Sequence, residues 1–91
     1  MKASLNDVGL PIVIKWTRPL TTGATLTVEL VKQSGATAVL SAVEHPESSS
    51  WWLAYTAAGT LDELGTYTAR GREVVSGTSD IRSLPVTFEV V

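Results

Sequence analysis

The chain has 91 residues and no cysteine, so it is read as one domain whose core is built without disulfides. Its formal net charge is -2 and its seven basic residues are scattered, which excludes the dense cationic surface that phosphate backbones require. Charged residues are only 18% of the chain and mean hydropathy is positive, so part of the surface is expected to lie against a protein partner.

Met1 to Val8 shows no strand or helix pattern and is expected to be a loose arm, with one domain over residues 9–91. The apolar run Leu10 to Ile14 is too short for an h-region or a membrane span. The chain is therefore expected to be made in the cytosol, not exported by the general secretory route, and to make no membrane contact. Leu10 to Thr17 alternates, with Ile12, Ile14 and Trp16 on one face and Val13, Lys15 and Thr17 on the other; Pro11 at its start and Pro19 after its end suit an edge strand or strand boundaries. Arg18 to Gly23 is a connection. Ala24 to Gln33 places Leu26, Val28 and Leu30 inward, and Ala36 to Val43 returns after the Ser34-Gly35 turn as its hairpin partner.

Glu44 to Ser50, with Pro46 and three serines, is expected to be a loop. Trp51 to Ala57 is the next strand. In it Trp51 shares parity with Leu53 and Tyr55, whereas Trp52 shares parity with Ala54 and Thr56. The more apolar set is assigned to the core, so Trp51 is expected inside and Trp52 outside, where an indole anchors a protein partner or stacks on a sugar. Ala58 to Leu64 is expected to hold a single helical turn capped by Thr60 or Asp62. A strand follows from Thr66 to about Val75, with Tyr67 and Ala69 on one face and Thr66, Thr68 and Arg70 on the other. Arg70 and Arg72, on the polar face, are candidate rim contacts to a partner beside Trp52. Ser76 to Asp80 is a polar turn. Ser83 to Val91 closes the chain with Leu84, Val86, Phe88 and Val90 on one face.

No residue set here suits catalysis or metal binding. His45 is the only histidine, and the Pro/Ser stretch around it is a poor mount for a general base. Asp62 and Glu63 are adjacent, which suits a turn better than the separated carboxyls of a glycosidase. One histidine and no cysteine exclude the common zinc sites. The chain is accordingly expected to be no enzyme and to carry no cofactor. Short strands punctuated by turns predict an all-β fold, an antiparallel β-sandwich of about seven strands.

Two resemblances sharpen this reading. Glu63-Leu64-Gly65-Thr66-Tyr67 resembles the tyrosine corner of immunoglobulin-like sandwiches, which implies a structural corner built on Gly65 and Tyr67. Leu20-Thr21-Thr22-Gly23-Ala24-Thr25-Leu26-Thr27-Val28-Glu29-Leu30, the Gly59-to-Tyr67 stretch and the final Val86-Thr87-Phe88-Glu89-Val90 together resemble the immunoglobulin-like domains of tailed-bacteriophage virion proteins. They are similar, notably, to the N-terminal domain of phage baseplate upper proteins. The resemblance implies an immunoglobulin-like sandwich in a virion, made in the host bacterial cytoplasm. It further implies a non-catalytic structural module that binds itself or other virion proteins in a tail, baseplate or head decoration. The alternative is a carbohydrate- or host-surface-binding module.

Overall fold

The computed structural model describes residues 2–91. Eight strands follow in order: β1 (Lys2–Ala3), β2 (Pro11–Lys15), β3 (Thr25–Val31), β4 (Thr37–His45), β5 (Ser48–Tyr55), β6 (Gly65–Val75), β7 (Ser79–Arg82) and β8 (Val86–Val90). Among the described residues there is no helix, and therefore none long and apolar enough to cross a membrane. The all-β expectation holds.

Hydrogen bonding joins the strands in the order β1-β8-β6-β3-β4-β5-β2, with β7 also on β6. All neighbours are antiparallel except β1, which lies parallel to β8. The expected two layers are not separate: β4 pairs β3 through Thr37–Ser41 and β5 through Ala42–His45. A strand that changes partner midway turns a corner. The sheet thus curls into a half-barrel that closes over its own inner face. β2, as expected, is an edge strand, paired only with β5.

The inner face follows from strand alternation. Ile12 and Ile14 of β2, Val28 and Leu30 of β3, Trp52 and Ala54 of β5, Tyr67 and Ala69 of β6, and Phe88 and Val90 of β8 all point inward and are buried. Trp52 is the largest of them and has no exposed surface. This corrects the assignment of Trp52 to the outside and Trp51 to the core. The register explains it: Trp52 lies opposite Ile14 and Ala54 opposite Ile12. Across the interior, Gly71 of β6 leaves the space the indole fills; a Cβ there would sit 2.4 Å from the ring.

Four further expectations need correcting. Met1 lies outside the described residues, but residues 2–8 are no loose arm. Lys2 and Ala3 pair with β8; Leu5 N donates to Val91 O, Asn6 N to Leu61 O, and Thr56 Oγ1 to Asp7 O. Residues 44–50 are a hairpin, not a loop, with only Pro46 and Glu47 between β4 and β5 and a bulge at Glu44/His45. The serines take extended positions because their backbones are used: Ser50 O accepts from Trp16 N and Ser49 O from Leu20 N. Residues 58–64 form turns, not a helical turn. Thr60 Oγ1 accepts from Ala57 N at 3.0 Å and Leu61 is fully buried, while Asp62 pairs with Lys32 Nζ at 2.6 Å. The polar turn expected over Ser76–Asp80 is shorter, because Ser79–Arg82 returns along β6 as β7, and the closing strand starts only at Val86; of Leu84, Val86, Phe88 and Val90 only Phe88 and Val90 are buried, and Leu84 is 85% exposed.

The corner expected at Gly65 and Tyr67 is present. Gly65 has φ +119°, in the left-handed region that side chains with a Cβ avoid, and a Cβ there would meet Gln33 at 2.8 Å. Tyr67 is fully buried against Phe88, and its hydroxyl both accepts from Glu63 N (3.1 Å) and donates to Glu63 O (3.2 Å). This closes the loop over the start of β6. Tyr67→Phe is expected to cost about 1–3 kcal/mol, because it strands a backbone N–H and C=O that the hydroxyl serves. Urea unfolding of the two proteins measures it; an unchanged midpoint would contradict the role.

Candidate functional site

The curled sheet presents two outer faces. The first belongs to β3, β6 and β7. Alternation sends Glu29, Arg70, Arg72 and Arg82 outward, and register sets Glu29 opposite both Val39 of β4 and Arg70 of β6. Arg72 grips Asp80 with two bonds, Nε to Oδ1 at 2.9 Å and Nη2 to Oδ2 at 2.6 Å. Arg82 Nε bonds Glu29 Oε1 at 2.7 Å, and longer contacts, Arg72 to Glu29 at 3.9 Å and Arg82 to Asp80 at 3.7 Å, complete a quartet. Arg70 takes part in none of the ion pairs among the described residues. It borders a shallow groove of about 520 Å³ with Glu29, Val31, Thr37, Val39 and Thr68.

The Arg72 guanidinium holds the Asp80 carboxyl below its ordinary value of 3.8, mainly by the bidentate hydrogen bond; Lys32 does the same to Asp62. A depressed carboxylate contributes stability above the ordinary value and loses it as pH falls through the lower folded value. The protein is therefore expected to lose stability progressively below about pH 4. Asp80→Asn and Asp62→Asn are expected to flatten that slope, as measured by melting temperature from pH 6 to pH 2. Both pairs reach solvent, so the effect is modest.

The second face belongs to β2, β5 and the latter half of β4, and it is apolar. With Trp52 and Ala54 turned inward, Trp51, Leu53 and Tyr55 must point outward. Register extends them sideways: Val13, Leu53 and Val43 form one row, Lys15 and Trp51 the next, and Pro11 sits opposite Tyr55. Leu53 is already shielded between its neighbours, but Val43 and Tyr55 are 58% and 57% exposed. At the hairpin end Lys15 Nζ lies 4.5 Å over the Trp51 ring and His45 meets its edge. His45 Nδ1 accepts from Glu47 N, which fixes the hairpin turn.

The structure thus brings Arg70 and Arg72 together on one face and places Trp52 on the other side of the sheet. Trp52 touches that strand only from within, where its Nε1 donates to Arg72 O at 3.1 Å. Sequence reasoning missed the outward set Trp51, Tyr55, Val13 and Val43. The available signal was Gly71, a glycine inside a strand, which marks a close approach by a bulky group. Among the described residues no three His, Asp or Glu side chains gather closely enough to hold a metal. Comparison with protein-family models, with curated proteins and with solved structures gives no match.

Proposed function

We propose that this chain is a non-catalytic interaction module that binds protein neighbours through the outer face of β2, β5 and β4. The observation that carries this is the orientation of β5: its more apolar side, Trp51, Leu53 and Tyr55, faces out and continues into Val13 and Val43. A contiguous exposed apolar face marks an interaction surface, and aromatic residues are enriched where such surfaces bind. Arg70 and its groove supply a polar patch on the other face, suited to a second contact. The virion setting, as part of a phage tail, baseplate or head decoration, rests on the resemblance of the strand motifs alone.

The carbohydrate alternative is weaker on geometry. Stacking on a sugar needs a bare aromatic ring. Trp52 is buried and the Trp51 ring carries the Lys15 ammonium, which leaves Tyr55, 57% exposed, as the one open ring of this face.

Val43→Asp and Tyr55→Asp test the reading. Both residues are exposed, so the fold is expected to survive. Self-association by light scattering, and cosedimentation with tailed-phage particles, are expected to fall in both variants. A wild-type chain that stays monomeric at high concentration and adheres to no particle would overturn the proposal.

A further inference from the structure

β2 has one side that bonds nothing among the described residues. At the two ends of its ladder Trp16 N donates to Ser50 O and Thr56 N donates to Leu10 O. In an antiparallel pair the bonded positions alternate, so the even residues of β2 bond β5. The backbone groups of Pro11, Val13 and Lys15 therefore point the other way. No strand lies there. Instead the edge opens on a hollow lined by Ile12, Val13 and Lys15 on one side and Val86, Thr87 and Phe88 of β8 on the other. The chain's own N-terminal segment is not available to fill it, because residues 2–7 are bonded to β8, Leu61 and Thr56.

We propose that β2 pairs antiparallel with the β2 of a second copy of this chain, centred on Val13. Unpaired strand edges template such addition. The register follows from the residues. A two-fold axis at Val13 lets the two Val13 backbones exchange both their bonds. It sets Lys15 of each copy against Pro11 of the other, so each Lys15 N–H donates to a Pro11 C=O. Pro11 has no N–H to return, so each outer pair holds a single bond and the Lys15 C=O of each copy is left to solvent. No like charges meet: the two Lys15 ammonium groups lie at opposite ends of the pair. The outward row Val43, Leu53, Val13 then runs unbroken into its symmetry mate, so two small apolar faces become one broad one. An isologous pair of this kind closes on itself and stops at two copies. The inference rests on the reading that this half of the sheet contacts protein neighbours, and it names one such neighbour.

Val13→Pro is the decisive variant, because it removes an N–H that has no partner within the chain. Sedimentation velocity is expected to show a concentration-dependent dimer in the wild type. In Val13→Pro the dimer dissociation constant is expected to rise about tenfold or more, from the loss of two hydrogen bonds and the added bulk, with the near-ultraviolet circular dichroism unchanged. Val13→Lys keeps the amide but sets two ammonium groups face to face, and is expected to weaken the dimer as well. Amide exchange in the wild type gives the answer should Val13→Pro fail to fold. Exchange at Val13 and Lys15 is expected to slow as protein concentration rises, while that at Ile14 stays constant. A dimer insensitive to both substitutions, or fast exchange at Val13 where the dimer prevails, overturns the edge pairing. If Val43→Asp still dissolves such a dimer, contact through the apolar face survives and only the edge pairing falls. A chain that remains monomeric also overturns it.

Discussion

Trp52→Ala is expected to destabilise the protein by about 3–5 kcal/mol, the range for removing a fully buried large side chain. Trp51→Ala, one residue away, is expected to cost far less, because its indole is only half-buried, with Lys15 over its ring and His45 against it. The contrast is the point of the experiment. Trp52 fills the interior between β2, β5 and β6, stacks at 4.9 Å from Trp16, and satisfies its indole N–H on Arg72 O. A domain of this size has about 5–15 kcal/mol of stability in all, so the alanine variant is expected to be partly unfolded at 37 °C. Denaturant titration followed by circular dichroism measures both variants. Equal losses, or a larger loss at Trp51, would mean that β5 presents its other side to the core.

Gly71→Ala is expected to be nearly as damaging, by the opposite route. The added Cβ would stand 2.4, 2.6 and 2.7 Å from three atoms of the Trp52 ring. Relief requires either the ring or the strand to move. The ring is pinned by its own hydrogen bond. The strand is held on one side by β3, at Val28, and on the other by Ser83, whose N donates to Gly71 O and whose Oγ accepts from Gly71 N. Overpacking usually costs about 1–3 kcal/mol, and a site with both escapes blocked belongs at or above the top of that range. The pairing gives its own control. Trp52→Leu makes room, so the double variant is expected to be more stable than the sum of the two single losses. Simple additivity in thermal melts would show that glycine at this position serves some other purpose.

These two residues also show how far the fold was legible. The strands of the first half were readable because Ile12, Ile14, Leu26, Val28 and Leu30 recur at period two. The corner was readable because Gly65 and Tyr67 carry a local geometric demand. What failed was whatever depended on a distant strand. Period two says that Trp51 and Trp52 face opposite ways, but not which faces in; that is decided by the register with Ile14 and by the space above Gly71. The ties of residues 2–8 run from their own main chain to the backbone of Leu61 and Val91 and to the Thr56 hydroxyl, and so leave no mark in the side-chain types of the segment. Pro46 and its serines read as a loop because their composition is that of one, although a two-residue turn suffices. Of the candidate contacts, Arg70 and Arg72 were readable from parity with Thr66 and Thr68. The apolar outer face was not, because the more apolar side of β5 reads as core until the register with Ile14 and the space above Gly71 turn it outward.

Buried polarity follows the same logic of distant partners. Glu73, 2% exposed, accepts from both Thr21 N (2.8 Å) and Thr21 Oγ1 (3.0 Å), 52 residues away in sequence. That contact lashes the β2–β3 connection to the far side of the curl, and nothing in the local sequence around Thr21 announces it.

The shared strand β4 has a mechanical meaning. Among the described residues it is the strand whose ladders join the aromatic flank to the arginine flank, gripped by β3 along Thr37–Ser41 and by β5 along Ala42–His45. Inter-strand bonds stand perpendicular to the strands, so a pull directed along β4 loads every bond of each ladder together in shear instead of peeling them singly. A pull applied to one flank would thereby reach the other through continuous main chain.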